Sequence, residues 1–102
     1  MIGLGTWEIP VNSMLYKGTA YVIVSEKNGA YDFQFQASDL RLPEFDIYNV
    51  TVNGDTLSAD ATCAQLRGKS LHADVTFQGD ACTGAVKAPM GITIRINGRR
   101  VG

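Results

Sequence analysis

The side chains best suited to chemistry in this sequence are its only histidine, His72, and two nearby aspartates, Asp60 and Asp74. The strand register derived below places Asp60 directly opposite Asp74 on an outer face, where two carboxylates could share a cation or a proton. The same register flanks His72 with Thr62 and Lys87 and leaves it in solvent. A lysine diagonal to Asp74 also lets such a pair relax into water. These residues form neither a pair of nucleophile and base nor a set of metal ligands. We therefore expect a protein that is not an enzyme and that needs no metal or cofactor.

The two cysteines are the next candidates, because paired thiols form disulfides or bind metals. In the derived register, Cys63 and Cys82 face positions 71 and 77 of one shared strand. That spacing separates them by about 20 Å, whereas a disulfide needs Cα atoms within about 7 Å. We expect free thiols and no disulfide between Cys63 and Cys82. Together with an N-terminus that lacks a signal-peptide pattern, this favours a cytoplasmic location.

Length and composition indicate one small globular domain that spans residues 1–102. The chain is 45% apolar, which is too much for a disordered segment, and its net charge is −1. That charge, with a basic group limited to Arg95, Arg99 and Arg100, argues against nucleic acid as a partner. No apolar run approaches the roughly 18 residues of a membrane span.

Alternation of apolar and polar residues runs along almost the whole chain, and no window has a helical period. This pattern predicts an all-β protein with eight strands. The expected strands are 5–11, 18–26, 31–37, 46–52, 55–64, 70–78, 81–88 and 92–97. The 11 glycines suit the tight turns that so many short strands require.

Turn signals set the register of these strands. The Asn-Gly pairs at 28–29 and 53–54 are typical of two-residue hairpin loops, and the Gly-Asp pair at 79–80 suits the mirrored form of such a loop. The segment 66–68 is typical of a three-residue loop that ends in glycine. These loops predict six facing pairs: 52 with 55, 50 with 57, 77 with 82, 75 with 84, 65 with 69, and 61 with 73.

In this register every strand keeps its apolar residues on one face, as a correct register requires. The residues expected to face inward are Val22, Val24, Phe33, Phe35, Tyr48, Val50, Val52, Leu57, Ala59, Ala61, Cys63, Leu71, Ala73, Val75, Phe77, Cys82, Gly84, Val86, Ala88, Ile92, Ile94 and Ile96. None is charged, so an enclosed ligand would be largely apolar. The small residues lie on the strands between 55 and 88, and larger side chains either fill that space or leave a cavity.

Eight consecutive antiparallel strands with one apolar face predict an up-and-down β-barrel, because closure removes the two sheet edges and no helix is available to cover an open sheet. A two-sheet β-sandwich of the same strands is the alternative. In the barrel, the three two-residue turns and both termini lie at one end, and the longer loops lie at the other.

The longer-looped end is rich in apolar residues. They either plug the mouth of the barrel or form the rim of a binding site for a small molecule or a protein. The candidate binding residues, with two neighbouring interior aromatics, are Met14, Leu15, Tyr16, Leu42, Phe45, Leu66, Met90, Phe35 and Tyr48.

Residues at the other end resemble a known family. Gly5 and Trp7 on the first strand, together with Arg99 and Arg100 on the last, resemble the pattern of calycins, the superfamily of lipocalins and fatty-acid-binding proteins. The resemblance implies that the indole packs at the closed end of the barrel under a basic side chain. By parity that side chain is Arg100, or Arg99 if the strand bulges. Gly5 and Trp7 with the segment 88–91, Ala-Pro-Met-Gly, are also similar to short bacterial β-barrel domains of mostly unknown function.

These observations predict a binding protein without catalytic activity. The leading hypothesis is that a small, largely apolar molecule binds at the open end of a calycin-like barrel. The alternative is an accessory or interaction module that uses the apolar rim to bind another protein or a second copy of the chain.

Overall fold

A computed structural model describes residues 1–12, 17–37 and 45–102. It contains eight strands, as predicted: β1 Gly5–Asn12, β2 Lys17–Lys27, β3 Ala30–Ala37, β4 Asp46–Asn53, β5 Thr56–Thr62, β6 Leu71–Gln78, β7 Ala81–Lys87 and β8 Thr93–Arg100. Within these ranges the helical segments are two short 3₁₀ turns, Ala64–Leu66 and Pro89–Gly91. No helix in the described part of the chain is long and apolar enough to cross a membrane.

The strands form one antiparallel sheet in the order β3-β2-β1-β8-β7-β6-β5-β4. Pairing of β1 with β8, through Trp7 with Arg100 and Glu8 with Arg99, joins the first strand to the last. The sheet therefore curls into a nearly closed up-and-down barrel, which confirms the predicted fold and excludes the two-sheet sandwich. The remaining opening lies between β3 and β4, which are the two ends of the strand order.

Two of the predicted hairpins are confirmed residue by residue. Lys27 pairs with Ala30 around the 28–29 turn, as an Asn-Gly loop requires. Around the 79–80 turn, Phe77 pairs with Cys82, and residue 75 faces residue 84. Loops of two residues whose φ angles suit glycine and asparagine can be read directly from sequence.

The hairpin between β4 and β5 differs from the prediction by one loop position. Asn53 pairs with Thr56 and Val52 with Leu57, so the loop consists of Gly54 and Asp55. Gly54 has a φ of 64°, and a turn of the II′ type needs positive φ only at its first position. The predicted pairs 52 with 55 and 50 with 57 are therefore wrong. The pairing is shifted by two residues. Because side chains alternate between the two faces of a strand, the residues next to the turn keep their predicted faces.

The connection between β5 and β6 is longer than predicted. In place of a three-residue loop at 66–68, the chain makes the 3₁₀ turn Ala64–Leu66 and then Arg67, with a φ of 52°. Ala61 consequently pairs with Leu71, and Ala59 with Ala73. The predicted pair 61 with 73 is wrong, and the slip again preserves the inward and outward faces.

A bulge in β4 reverses one predicted orientation. The register shifts between Tyr48 and Thr51, and Asn49 has a φ of 54°. Such an extra residue turns every side chain beyond it to the opposite face. Tyr48 therefore pairs with the outward Asp60 and is 41% exposed. The prediction that Tyr48 faces inward is wrong, and Ile47 faces inward instead.

Gly84 marks a close approach of β6 and β7. A Cβ atom there would overlap the carbonyl oxygen of Asp74 and lie 2.9 Å from the Cα of Val75. We expect Gly84→Ala to lower the free energy of unfolding by about 1–3 kcal/mol, because two backbones must separate to admit the methyl group. Chemical denaturation beside Thr83→Ala, a change at the exposed neighbouring position, tests this. Equal stability of the two variants would contradict the close approach.

Candidate functional site

The interior of the barrel holds a cavity of about 250 Å³. Side chains from all eight strands, and Phe45 just before β4, line it. The lining residues are Trp7, Ile9, Val22, Val24, Phe33, Phe35, Phe45, Ile47, Leu57, Ala59, Ala61, Leu71, Ala73, Val75, Phe77, Cys82, Val86 and Ile96. Of the two interiors that the sequence left open, the structure has the hollow one.

Three small residues on neighbouring strands help to create this space. Ala59 and Ala61 of β5 and Ala73 of β6 project inward, where their methyl groups reach only a short way from the wall. The most deeply buried cluster, which consists of Trp7, Ile9, Val24 and Cys82, also borders the cavity. The cavity therefore extends from this cluster to the alanines of β5 and β6.

The cavity wall offers almost no polar group. Among the described residues, no polar or charged residue is buried, and no buried side-chain nitrogen or oxygen lacks a hydrogen-bond partner. The Trp7 indole N–H already donates to the carbonyl of Gly3 at 2.8 Å. Cys82 contributes a thiol and is 2% exposed, and burial raises the pKa of this thiol above its usual value. Cys82 therefore stays an uncharged thiol near neutral pH.

The floor of the cavity is the closed end of the barrel. The Arg100 guanidinium lies 4.9 Å from the centre of the Trp7 ring. The centres of the Phe77 and Trp7 rings are also 4.9 Å apart, in a tilted arrangement. This is the stacking that the resemblance implied, with Arg100 in the predicted position. Arg99 instead donates from Nε to Oε1 of Glu8 at 3.1 Å on the outside. Gly5 lies beside this stack, at a φ of 130°, with the Arg100 side chain close to it.

Two aromatic rings meet where the sheet is unpaired. Phe35 on β3 and Phe45 just before β4 have ring centroids 5.5 Å apart in an edge-to-face arrangement. Both line the cavity. In the described residues this side-chain contact joins β3 and β4, which share no backbone ladder.

The structure separates the predicted binding residues into three groups. Phe35 and Phe45 line the cavity. Leu66 and Met90 do not, and Tyr48 points outward. Met14, Leu15, Tyr16 and Leu42 lie outside the described residues.

A second constellation lies on the outer face of β4, β5 and β6. His72 pairs with Asp60 across the strands, and Asp74 pairs with Ser58, so the predicted Asp60 to Asp74 pairing is wrong. The Nδ1 atom of His72 lies 2.7 Å from Oδ1 of Asp60, and its Nε2 atom lies 3.2 Å from Oδ1 of Asp74. The predicted neighbour Lys87 pairs with His72, but Thr62 does not. The histidine thus bridges two carboxylates.

Two further hydrogen bonds extend this cluster. The Asn49 amide donates to Oδ2 of Asp60 at 3.0 Å, and the Ser58 hydroxyl donates to Oδ1 of Asp74 at 2.5 Å. A carboxylate therefore lies between the serine and the histidine, so His72 is not placed to take the Ser58 proton. Within the described residues, no group of three or more His, Cys, Asp or Glu is arranged to hold a metal ion. The geometry indicates a cross-strand link.

The electrostatics of the cluster give it a pH dependence. The hydrogen bond to Asp60, and then the charge of Asp74, raise the pKa of His72 above its usual value. Hydrogen bonds from Asn49 and His72 lower the pKa of Asp60, and the Ser58 hydroxyl does the same for Asp74. The histidine contributes stability below about pH 6.5 that is lost as the pH rises through its raised pKa. The carboxylates contribute stability above about pH 4 that is lost as the pH falls through their lowered pKa values.

We therefore expect the thermal midpoint to be highest between about pH 5 and pH 6 and to fall by about 2–4 °C towards pH 8, a small change because the cluster is exposed. Differential scanning calorimetry of the wild type and His72→Gln tests this. The variant is expected to lose the decline above pH 6, since glutamine does not titrate. Identical profiles for the two proteins would contradict the role of His72.

The comparisons with known proteins give no family for this chain. No protein-family model, curated protein or solved structure matches it significantly. The cavity and the surface of this barrel are therefore the features from which a function can be inferred.

Two lining residues, Ile9 and Ile47, are absent from the set that the sequence predicts to face inward. Ile47 lines the cavity where Tyr48 was expected, because the bulge at Asn49 changes which residues of β4 face inward. Asparagine adopts positive φ more readily than most residues, but asparagine is too common in strands and turns for that preference to predict a bulge.

Proposed function

We propose that this protein binds a small, largely apolar molecule inside the barrel. The observation that carries the proposal is the cavity of about 250 Å³, whose lining among the described residues is apolar apart from the Cys82 thiol. Exclusion of water from such a surface favours an apolar occupant. The site that we propose is the interior of the barrel and not the rim, and its lining includes two of the candidate residues, Phe35 and Phe45.

The closed end supports a calycin-like interpretation of the fold. Trp7 and Arg100 stack there, as the resemblance implies, and strengthen the end of the barrel opposite the long loops. A rigid floor suits a binding protein because a preformed cavity needs little reorganisation when it is filled.

The experiment is a thermal-shift screen with toluene, naphthalene, geraniol and decanoate. A compound that binds the folded state raises the thermal midpoint by mass action. We expect at least one of them to raise the midpoint of the wild type and not of Ala73→Leu, in which the new side chain occupies the cavity. Ala85→Leu is the matched control, since Ala85 pairs with Asp74 on the outer face. The proposal would be overturned if no compound shifted the midpoint of the wild type, or if Ala73→Leu and Ala85→Leu showed equal shifts.

A second candidate function is favoured by Met90. Its side chain is 90% exposed and its φ is 68°, a conformation that costs energy in a residue other than glycine. A hydrogen bond from the Ala88 amide to the Ile92 carbonyl, at 2.7 Å, closes the loop that presents it. An apolar side chain held out in this way suits contact with a protein partner or a second copy of the chain.

Light scattering after size-exclusion chromatography tests this alternative. If the loop is a contact between copies, the wild type is expected to elute as a dimer and Met90→Asp as a monomer. A monomeric wild type would exclude that contact and leave the cavity as the better-supported site.

A further inference from the structure

The chemistry of the cavity wall restricts what it accepts. Among the described residues the wall supplies no charged group, the Trp7 N–H is already bonded to Gly3, and the Cys82 thiol is a weak donor. A carboxylate, phosphate or ammonium group would therefore enter without a partner, which is strongly unfavourable. A charged ligand is disfavoured even if its apolar part fits.

Size is a second restriction. An apolar protein cavity of about 150 Å³ holds one benzene molecule. By proportion, the 250 Å³ cavity holds a molecule of about ten carbon atoms. That is the size of two fused rings.

The rings around the cavity favour a flat, aromatic occupant. Aromatic side chains enter from three strands and from the residue before β4, and they are Trp7, Phe33, Phe35, Phe45 and Phe77. Aromatic rings gain from edge-to-face and offset contacts with one another beyond the burial of area. The alanines of β5 and β6 leave the space between these rings.

We propose that the cavity takes uncharged aromatic molecules of about two fused rings, a class defined by the size of the cavity and its lack of charge. This inference rests on the proposed function, because it specifies the ligand of the same cavity.

Isothermal titration calorimetry with three ten- or eleven-carbon compounds tests the class: 2-naphthol, 2-naphthoate and decanoate. The first two share a ring system and differ in charge, and the third is a flexible charged chain. We expect 2-naphthol to bind with one-to-one stoichiometry and 2-naphthoate to bind about 100-fold more weakly or not at all. Binding of 2-naphthol is expected to be lost in Ala73→Leu and retained in Ala85→Leu.

The possible outcomes separate the two proposals. Binding of 2-naphthoate or decanoate as tightly as 2-naphthol, with loss in Ala73→Leu, would overturn the ligand class and leave binding in the cavity intact. If no compound binds here or in the thermal-shift screen, both proposals fail.

The strand order carries a separate inference about how a molecule reaches the cavity. Seven of the eight neighbouring strand pairs around the barrel are joined by hydrogen-bonded ladders, and β3 with β4 is the exception. A molecule that passed between two paired strands would have to break a ladder. At the gap, the contact that the described residues make is the one between the Phe35 and Phe45 rings, and side-chain rings can rotate.

The geometry points to the gap between β3 and β4 as the passage into the cavity, with Phe35 and Phe45 as its gate. Cys82 reports on this passage because its thiol lies on the cavity wall and is almost inaccessible from outside. In a Cys63→Ser background it is the only thiol of the chain.

The experiment measures the rate at which N-ethylmaleimide, a small uncharged reagent, modifies Cys82. We expect Phe35→Ala and Phe45→Ala each to raise that rate about tenfold or more, because each removes half of the gate. Val22 pairs with Phe35 on the side of β3 that is joined to β2, so Val22→Ala controls for lost stability. Met90→Ala controls for entry at the loops. Acceleration by Met90→Ala, or equal acceleration by Val22→Ala, would overturn the passage, as would a wild-type dimer that buries the gap.

Discussion

Replacement of Trp7 by alanine is expected to lower the free energy of unfolding by about 3–5 kcal/mol, as for other large buried aromatics. The indole is 1% exposed, donates to Gly3, contacts Phe77 and lies beneath Arg100. One residue therefore links the N-terminal segment, β1, β6 and β8. In a domain of this size, a loss of that magnitude lowers the thermal midpoint by about 15 °C or more. Urea denaturation followed by circular dichroism measures it.

Two milder variants separate the contributions at this end of the barrel. Trp7→Phe keeps a ring beside Phe77 but leaves the buried Gly3 carbonyl without its donor, which costs about 1–3 kcal/mol. Arg100→Gln removes the contact between cation and ring, worth about 0.5–2 kcal/mol. If Trp7→Ala unfolded within 1 kcal/mol of the wild type, the closed end would not be the stable floor described here.

The second large effect is expected from filling the cavity. Ala73→Leu adds three carbon atoms beside Ala59 and Val86, and we expect it to weaken binding of a ligand such as 2-naphthol about 100-fold or more, since side chain and ligand need the same space. Stability is expected to hold or to rise by about 1 kcal/mol, because buried methylene groups stabilise a protein where there is room for them. Calorimetric titration and urea denaturation of the same sample give both values.

The sign of the stability change distinguishes a hollow interior from a packed one. In a packed interior the same leucine would cost about 1–3 kcal/mol through strain. Ala85→Leu, the same change on the outer face, is expected to leave binding unchanged. A destabilised Ala73→Leu that still bound the ligand would contradict the cavity.

Turn chemistry made most of the fold predictable from sequence. The glycines at 29 and 79 fixed two hairpins, and alternation along the strands then determined which residues face the interior. The resemblance to calycins implies that Trp7 packs under a basic side chain from the last strand, and strand parity selects Arg100. These features depend on backbone angles and on a two-residue period, and both leave a direct mark on residue type.

The features that sequence did not predict depend on choices among similar backbone conformations. Gly54 could occupy either position of a two-residue loop, and Asn49 could continue a strand or bulge. The 3₁₀ turn Ala64–Leu66 has no capping residue to announce it. The hollow interior was also undetermined, because whether alanines on β5 and β6 leave a void depends on the curvature of the barrel and not on residue type.

Diffraction from a crystal held under xenon pressure tests whether the interior of the barrel contains an apolar cavity. Xenon enters dry apolar cavities of this kind without needing a polar partner. We expect xenon density inside the barrel, among Ala59, Ala73 and Phe33, and much less in Ala73→Leu. An interior filled by ordered side chains, with no xenon bound, would contradict the presence of this cavity.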